Sequence, residues 1–392
     1  MPHGFYGGLD LSSPKKANQK KNKKITCQST NSLQIIVAMK INLSKIFGIS
    51  LVVLGTTSSL ESQTVTTAPV GFVRYNALAN SDIYVTPPFE RPAFWSGTIA
   101  SVSGNVVTLN NASLTPNQLV YAAGTQPNTY YLRIGSHSSI NPKEGNYYTI
   151  TANGTNTVTL DLAGDNISSI APGTKAKIIP YWTLNTLFPN GQGINASPSE
   201  FSIQTRVIVP NILANGINLP ASSIFYYLGP QSQWRKIGST ANQNDTIINP
   251  DNYVIIRSAA SPSQFAIAGN VSMEKNAYWL RTQNSQSQDN PLGLPRPMPV
   301  KLVDAGFISS GAFASSPSEF NITDRLIVFD NTTTGINKPA KAVYYYTNNQ
   351  WRKVGSTGNA GNDEINLYEG VVIRKAPVTN GPTIVGINSP NY

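Results

Sequence analysis

The feature that most constrains this chain is a block of sequence written twice. Ser197-Pro198-Ser199-Glu200-Phe201 returns as Ser316-Pro317-Ser318-Glu319-Phe320, 119 residues later. Gly216-Ile217-Asn218 returns as Gly335-Ile336-Asn337, and Phe225-Tyr226-Tyr227 as Tyr344-Tyr345-Tyr346, both at the same offset of 119. Gln233-Trp234-Arg235-Lys236-Ile237-Gly238-Ser239-Thr240 then matches Gln350-Trp351-Arg352-Lys353-Val354-Gly355-Ser356-Thr357 at an offset of 117. Asn244-Asp245 pairs with Asn362-Asp363, and Val254-Ile255-Ile256-Arg257 with Val371-Val372-Ile373-Arg374. Order and spacing are kept throughout, which reads as a duplicated structural unit. The two lost residues fall between the Tyr segment and the Trp segment. Loops absorb such changes cheaply and strands do not, so a hairpin is expected there.

The rest of the chain reads as strands. Tyr148–Ala152 and Val158–Leu162 alternate apolar and polar residues around Asn153-Gly154, and Thr98–Ser103 and Val106–Leu109 flank Gly104-Asn105 in the same way. Two period-two runs around such a pair predict a hairpin, because Asn and Gly tolerate positive φ. Helical periodicity is not sustained after Leu54; the best helical candidate is a short piece near Leu302–Phe307. Charged residues are only 12% of the chain, about half the usual share, which argues against a charge-laced helical protein. The expected fold is therefore all-β. An N-terminal β-barrel-like or sandwich domain occupies roughly 67–180, and two tandem homologous β-sandwich or barrel repeats follow at 181–297 and 298–392. The four prolines between Asp289 and Pro299 read as an extended linker between the repeats.

The net charge of +10 would raise nucleic acid as a partner, but the charge is unevenly placed. Residues 1–62 hold eight lysines against Asp10 and Glu61, a net of +6, and the remainder carries only +4. From Met39, Lys40 and Lys45 precede the apolar run Ile46–Leu54, and small polar residues follow to Ser59. That is the layout of a secretory signal peptide, expected at 39–62. The run is shorter than the roughly 20 residues needed to span a bilayer, so no transmembrane anchor is expected in the mature chain. Residues 1–38 then read as an extension set ahead of the true start. Removing the leader also removes Cys27, leaving a cysteine-free exported chain whose nearly balanced charge no longer points to nucleic acid.

Pro69-Val70-Gly71-Phe72, the duplicated Tyr-Tyr…Trp-Arg-Lys-x-Gly-Ser block, the Asn-Asp turn and the closing Ile-Arg resemble a group of exported bacterial β-rich proteins with no characterised activity. The similarity runs from about Pro69 to Arg374. It implies export and a shared architecture, and it brings no catalytic or binding residues with it.

The inventory of reactive side chains is thin. His137, in the Ser-rich stretch Gly135–Ser139, is the only histidine of the mature chain, and no nucleophile elbow is present. Zinc needs three or four Cys, His or carboxylate ligands, so no metal or other cofactor is expected. Asn242–Asp245 and Asn359–Glu364 carry the oxygen ligands that calcium prefers, although a simple Asn/Asp turn accounts for both. Glu200 with Glu319, and Asp245 with Asp363, could form carboxylate pairs of a glycosidase across the duplication. Against this, Asp324 stands opposite Thr205 in the other copy, and Ser-Pro-Ser-Glu-Phe reads better as a turn entering a strand. The chain is therefore not expected to be an enzyme.

The aromatic residues are the remaining binding candidates: Trp234, Tyr226, Trp351 and Tyr345 could stack on sugar rings. The competing reading makes each repeated Trp a core anchor, burying about 150–250 Å². The leading expectation is an exported, non-catalytic structural or adhesive protein of the cell surface, extracellular layer or periplasm. Its partner would be its own kind or an extracellular polysaccharide. The alternative is a carbohydrate-binding protein using exposed Trp or Tyr.

Overall fold

The computed structural model describes residues 69–293, 295–379 and 384–388. The expected extension at 1–38, the signal peptide at 39–62 and Cys27 lie outside the described residues. What is described is nearly all β. The exceptions are a single-turn α-helix, Leu184–Leu187, and four 3-10 turns, one of which (Leu302–Asp304) falls where the best helical candidate stands.

Two five-stranded antiparallel sheets carry the duplicated motifs. In the first, the strand order is Gln233–Lys236, Ala221–Leu228, Thr205–Pro210, Val254–Ser258, Ser81–Val85. In the second it is Gln350–Lys353, Ala340–Thr347, Arg325–Phe329, Val371–Lys375, Gln288–Leu292, the same order built from corresponding residues. Register matches as well: Tyr227 faces Trp234, and Tyr346 faces Trp351. The expected hairpin joins these strands in both sheets. Leu228 pairs with Gln233 across the four-residue loop Gly229–Ser232, whereas Thr347 pairs with Gln350 across Asn348-Asn349 alone. Both asparagines have positive φ, 49° and 56°, the backbone that a two-residue hairpin loop demands.

Each sheet takes its last strand from outside the segment that carries the motifs. Ser81–Val85, within the expected N-terminal domain, pairs with Val254–Ser258. Gln288–Leu292, overlapping the start of the expected linker, pairs with Val371–Lys375. Proline reads as linker locally, but Pro291 lies on an edge strand, where a missing N–H costs little. Flanking ribbons correspond too: Val70–Ala77 with Ser263–Asn270, and Asn276–Leu280 with Ile384–Asn388.

Between Val85 and Trp182 the chain builds a closed six-stranded barrel from Trp95–Ser103, Val106–Leu109, Thr157–Asp161, Tyr147–Asn153, Tyr130–Ile134 and Lys175–Pro180. The second sheet has only residues 293–299 at the corresponding place, so the barrel stands as an insertion. Alternation fills it: Val107, Leu109, Val158, Leu160 and Ile150 point inward and are buried. Gly104-Asn105 makes the expected two-residue turn, with Ser103 opposite Val106. The other hairpin is present but turns later than expected: Asn153 still pairs with Val158, and the chain reverses over residues 154–157, where the Gly154 N–H donates to the Thr157 carbonyl at 2.9 Å.

The two sheets lock together reciprocally. Asp82, on the edge strand of the first, accepts a forked pair of hydrogen bonds from Arg257 of its own sheet and the N–H of Asn337 from the other. Asp289, on the edge strand of the second, accepts the same fork from Arg374 and the N–H of Asn218. The repeated Gly-Ile-Asn segments are thus the loops that each sheet lends to its neighbour. Between them Tyr84 stacks on Phe329, with centroids 4.0 Å apart and rings 9° from parallel.

Candidate functional site

The four aromatic candidates do not form a ligand platform. Trp234 and Trp351 are 0% and 2% exposed. Each indole meets its cross-strand tyrosine edge-on, Tyr227 at 5.7 Å and Tyr346 at 5.6 Å, and Phe188 or Phe313 packs nearby. Alternation then sends Tyr226 and Tyr345 to the opposite face, where both are buried and stand across from Arg235 and Arg352. A ring enclosed on both faces offers a sugar nothing to stack on.

The other candidates are scattered. Glu200 and Glu319 are exposed, on turns of separate sheets. The calcium candidates are closed turns: Asn242 and Asn359 accept the N–H groups two residues on, and Tyr121 and Tyr344 donate to Asp245 and Asp363. His137 bonds Ser139 of its own loop and the Pro172 carbonyl of the loop that precedes Lys175–Pro180. Among the described residues no group of three His, Cys or carboxylate side chains is placed to hold a metal ion, and no helix is long and apolar enough to cross a membrane. The Ser-Pro-Ser-Glu-Phe elements are turns, and they carry Phe201 and Phe320 at corresponding positions, each 92% exposed.

The site with the richest chemistry lies where the barrel meets the two sheets. A cleft of about 660 Å³ opens there, within the size range of small-ligand sites, roughly 300–1,000 Å³. The barrel contributes Tyr147, Tyr148 and Asp165, the first sheet's loops contribute Asp251, and the ribbon strand Asn276–Leu280 contributes Trp279. In that strand Asn276, Ala277, Tyr278 and Leu280 are buried, and Trp279 alone turns outward. Its indole is 42% exposed, with the Lys143 ammonium 5.9 Å from the ring centroid.

Lys143, Asp165, Asp251 and Arg281 are each held by hydrogen bonds. Lys143 pairs with Asp165 at 2.5 Å, and the Tyr148 hydroxyl donates to the other oxygen of that carboxylate at 2.6 Å. Burial pushes the Asp165 pKa up, but the hydrogen bonds from Lys143 and Tyr148 outweigh it and hold the group ionised below its ordinary range. Tyr147 donates to Asp251 at 2.7 Å. Asp251 is half-buried by area yet densely surrounded. Burial therefore raises its pKa, and the Tyr147 bond offsets that only in part. Burial, then the Asp251 charge, drives the Tyr147 hydroxyl well above its ordinary value. Arg281 is bolted down by the Ile212 and Ala214 carbonyls, at 2.7 and 3.1 Å, and by Asn215. Asn146, 2% exposed in the same wall, has a side-chain oxygen with no hydrogen-bond partner among the described residues.

The chain matches no family model, and neither a curated protein nor a solved structure is similar to it.

The cleft sets one half-exposed indole beside a rim of amides and hydroxyls, and two of its carboxylates, Asp165 and Asp251, each accept a tyrosine hydroxyl. None of its key residues stands among the sequence candidates. A local signal exists for Trp279: in a strand that buries Tyr278 and Leu280, its side chain is the one that sits differently. Nothing local marks Tyr147 and Asp251, which lie 104 residues apart.

Proposed function

We propose that this chain is an exported, non-catalytic adhesive or structural protein of the cell surface or extracellular layer, and that its cleft holds an extracellular polysaccharide. The observation that carries the reading is Trp279, turned out beside a cleft lined by hydroxyl and amide groups. An indole face shields the C–H face of a sugar ring while amides and hydroxyls meet its hydroxyls, the combination of apolar and placed polar groups that ligand sites use. The leader-like segment at 39–62 supports export. Phe201 and Phe320, exposed at corresponding positions of the two sheets, are the contact points we assign to adhesion.

Two measurements test this. Fractionation of native cells should place the protein outside the cytoplasm. Titration with extracellular polysaccharide from the same cells should change Trp fluorescence, and Trp279→Ala should abolish the response while circular dichroism stays unchanged. A cytoplasmic protein, or a response that survives Trp279→Ala, would defeat the reading.

A further inference from the structure

The core of the second sheet contains a pair of charges that the first sheet manages without. Lys375 and Asp324 are in direct contact, and their side chains are 2% and 1% exposed. They continue the ladder in which Arg325 faces Arg374, so they are cross-strand neighbours. Their side chains lie on the core face with Leu326 and Ile373. The corresponding positions of the first sheet are Thr205 and Ser258, paired with each other in register. There three neutral hydroxyls close on one another, Thr205 to Ser263 at 2.8 Å and Ser258 to Ser263 at 3.0 Å. The fold does not need charge at this place. A buried ion pair is also a poor source of stability, because desolvating both ions consumes most of their attraction.

We propose that Lys375 and Asp324 are joined by a side-chain amide bond. The surroundings of the pair are arranged for that condensation. The Asp324 carboxyl is fixed by two backbone donors, Ala314 N–H to Oδ2 at 2.7 Å and Ala376 N–H to Oδ1 at 2.9 Å. The Lys375 Nζ is aimed by the Ala312 carbonyl at 2.8 Å and lies against Oδ2. One ammonium proton passes to Oδ2, leaving an amine and a carboxylic acid. The Nζ lone pair then attacks Cγ, forming the C–N bond and moving the C=O π pair onto Oδ1, where the Ala376 N–H stabilises it. A second proton moves from Nζ to Oδ2, the Cγ–Oδ2 bond breaks, and water leaves. The amide keeps one N–H, still directed at the Ala312 carbonyl. No oxidant or co-reactant is needed. Two rigid strands hold the reactants in contact, which replaces the entropy of a bimolecular encounter. The product removes both charges from the core, and the dry site favours expulsion of water. In a chain without cysteine beyond Cys27, such a bond would be the one covalent tie between strands distant in sequence.

The test is peptide mapping of the intact exported protein after complete denaturation and tryptic digestion. The peptides holding Asp324 and Lys375 should appear as one branched species, lighter than their sum by the mass of one water molecule and uncut after residue 375. Lys143 and Asp165, a close but more exposed pair, should appear on separate peptides. Lys375→Arg keeps the cation but removes the nucleophile, and should return the Asp324 peptide to its unlinked mass. Separate, full-mass peptides from the wild-type protein would overturn the proposal outright, whatever the variants do.

Discussion

Arg257 holds Asp82 in a fork, Nε to Oδ1 at 2.7 Å and Nη2 to Oδ2 at 2.8 Å, with Asp82 1% exposed. The same oxygen Oδ2 accepts the N–H of Asn337, 255 residues away, at 2.8 Å. One carboxylate thus closes its own sheet and fastens the next. Asp82→Ala leaves Arg257 and the Asn337 N–H without their acceptor at once. The expected cost is about 3–5 kcal/mol, the usual penalty for removing one partner of a buried pair. Urea unfolding should show the midpoint falling with the slope unchanged, and Asp289→Ala should do the same in the mirror position.

The tryptophans divide into two classes. Trp234→Ala and Trp351→Ala empty filled cores and should each cost about 3–5 kcal/mol. Trp279→Ala should cost less, about 1 kcal/mol, because its ring is only partly buried. Comparing thermal midpoints with polysaccharide-dependent fluorescence in the three variants separates packing from binding. Loss of the fluorescence response in a folded Trp234→Ala protein, with Trp279 intact, would contradict that division.

Asp251 gives a pH dependence of definite sign. Burial raises its pKa above the unfolded value, so between the two values the folded chain keeps a proton that the unfolded chain has released. Its contribution to stability is fully present below the unfolded pKa, about 3.9, and is lost as pH rises through the folded pKa. Asp251→Asn retains an acceptor for Tyr147 and cannot ionise. The variant should be more stable than wild type at neutral pH, with the two converging toward acid. A stability difference that does not vary with pH would refute this account.

Phe201 and Phe320 can be removed without touching either core. Replacing both with Ser should leave the unfolding midpoint within about 0.5 kcal/mol of wild type. Light scattering at rising concentration should show less self-association. Equal association in the double variant would exclude these turns as contact points.

What the sequence made legible was whatever neighbouring residues decide. The alternation around Asn153-Gly154, the two-residue turn at Gly104-Asn105 and the offset change from 119 to 117 each describe a hairpin, and each hairpin is present. The loss of two residues is the difference between Gly229–Ser232 and Asn348-Asn349. The edge strands escaped notice because their partners are remote: Ser81 pairs with Ser258, and Pro291 with Val372. One clue was within reach. Arg257 and Arg374 recur in otherwise apolar strands, and such an arginine needs an acidic partner. Asp289 lies between the two copies of the duplicated block, but Asp82 lies far ahead of the first copy, with the whole barrel in between. The cleft had no comparable clue, since barrel, sheet and ribbon meet there only after the whole chain has packed.

The reciprocal lock also sets a timetable. The strand Ser81–Val85 is among the first to emerge when the chain is delivered N-terminus first, yet Asp82 finds Arg257 only 175 residues later. Its second partner arrives later still, from the far sheet. Until then that strand has no complete sheet to join, and such distant pairing forms slowly. The barrel can close from residues 95–180 alone, but neither sheet can. A polypeptide built this way sets its barrel first and fixes its two sheets to each other only near the end.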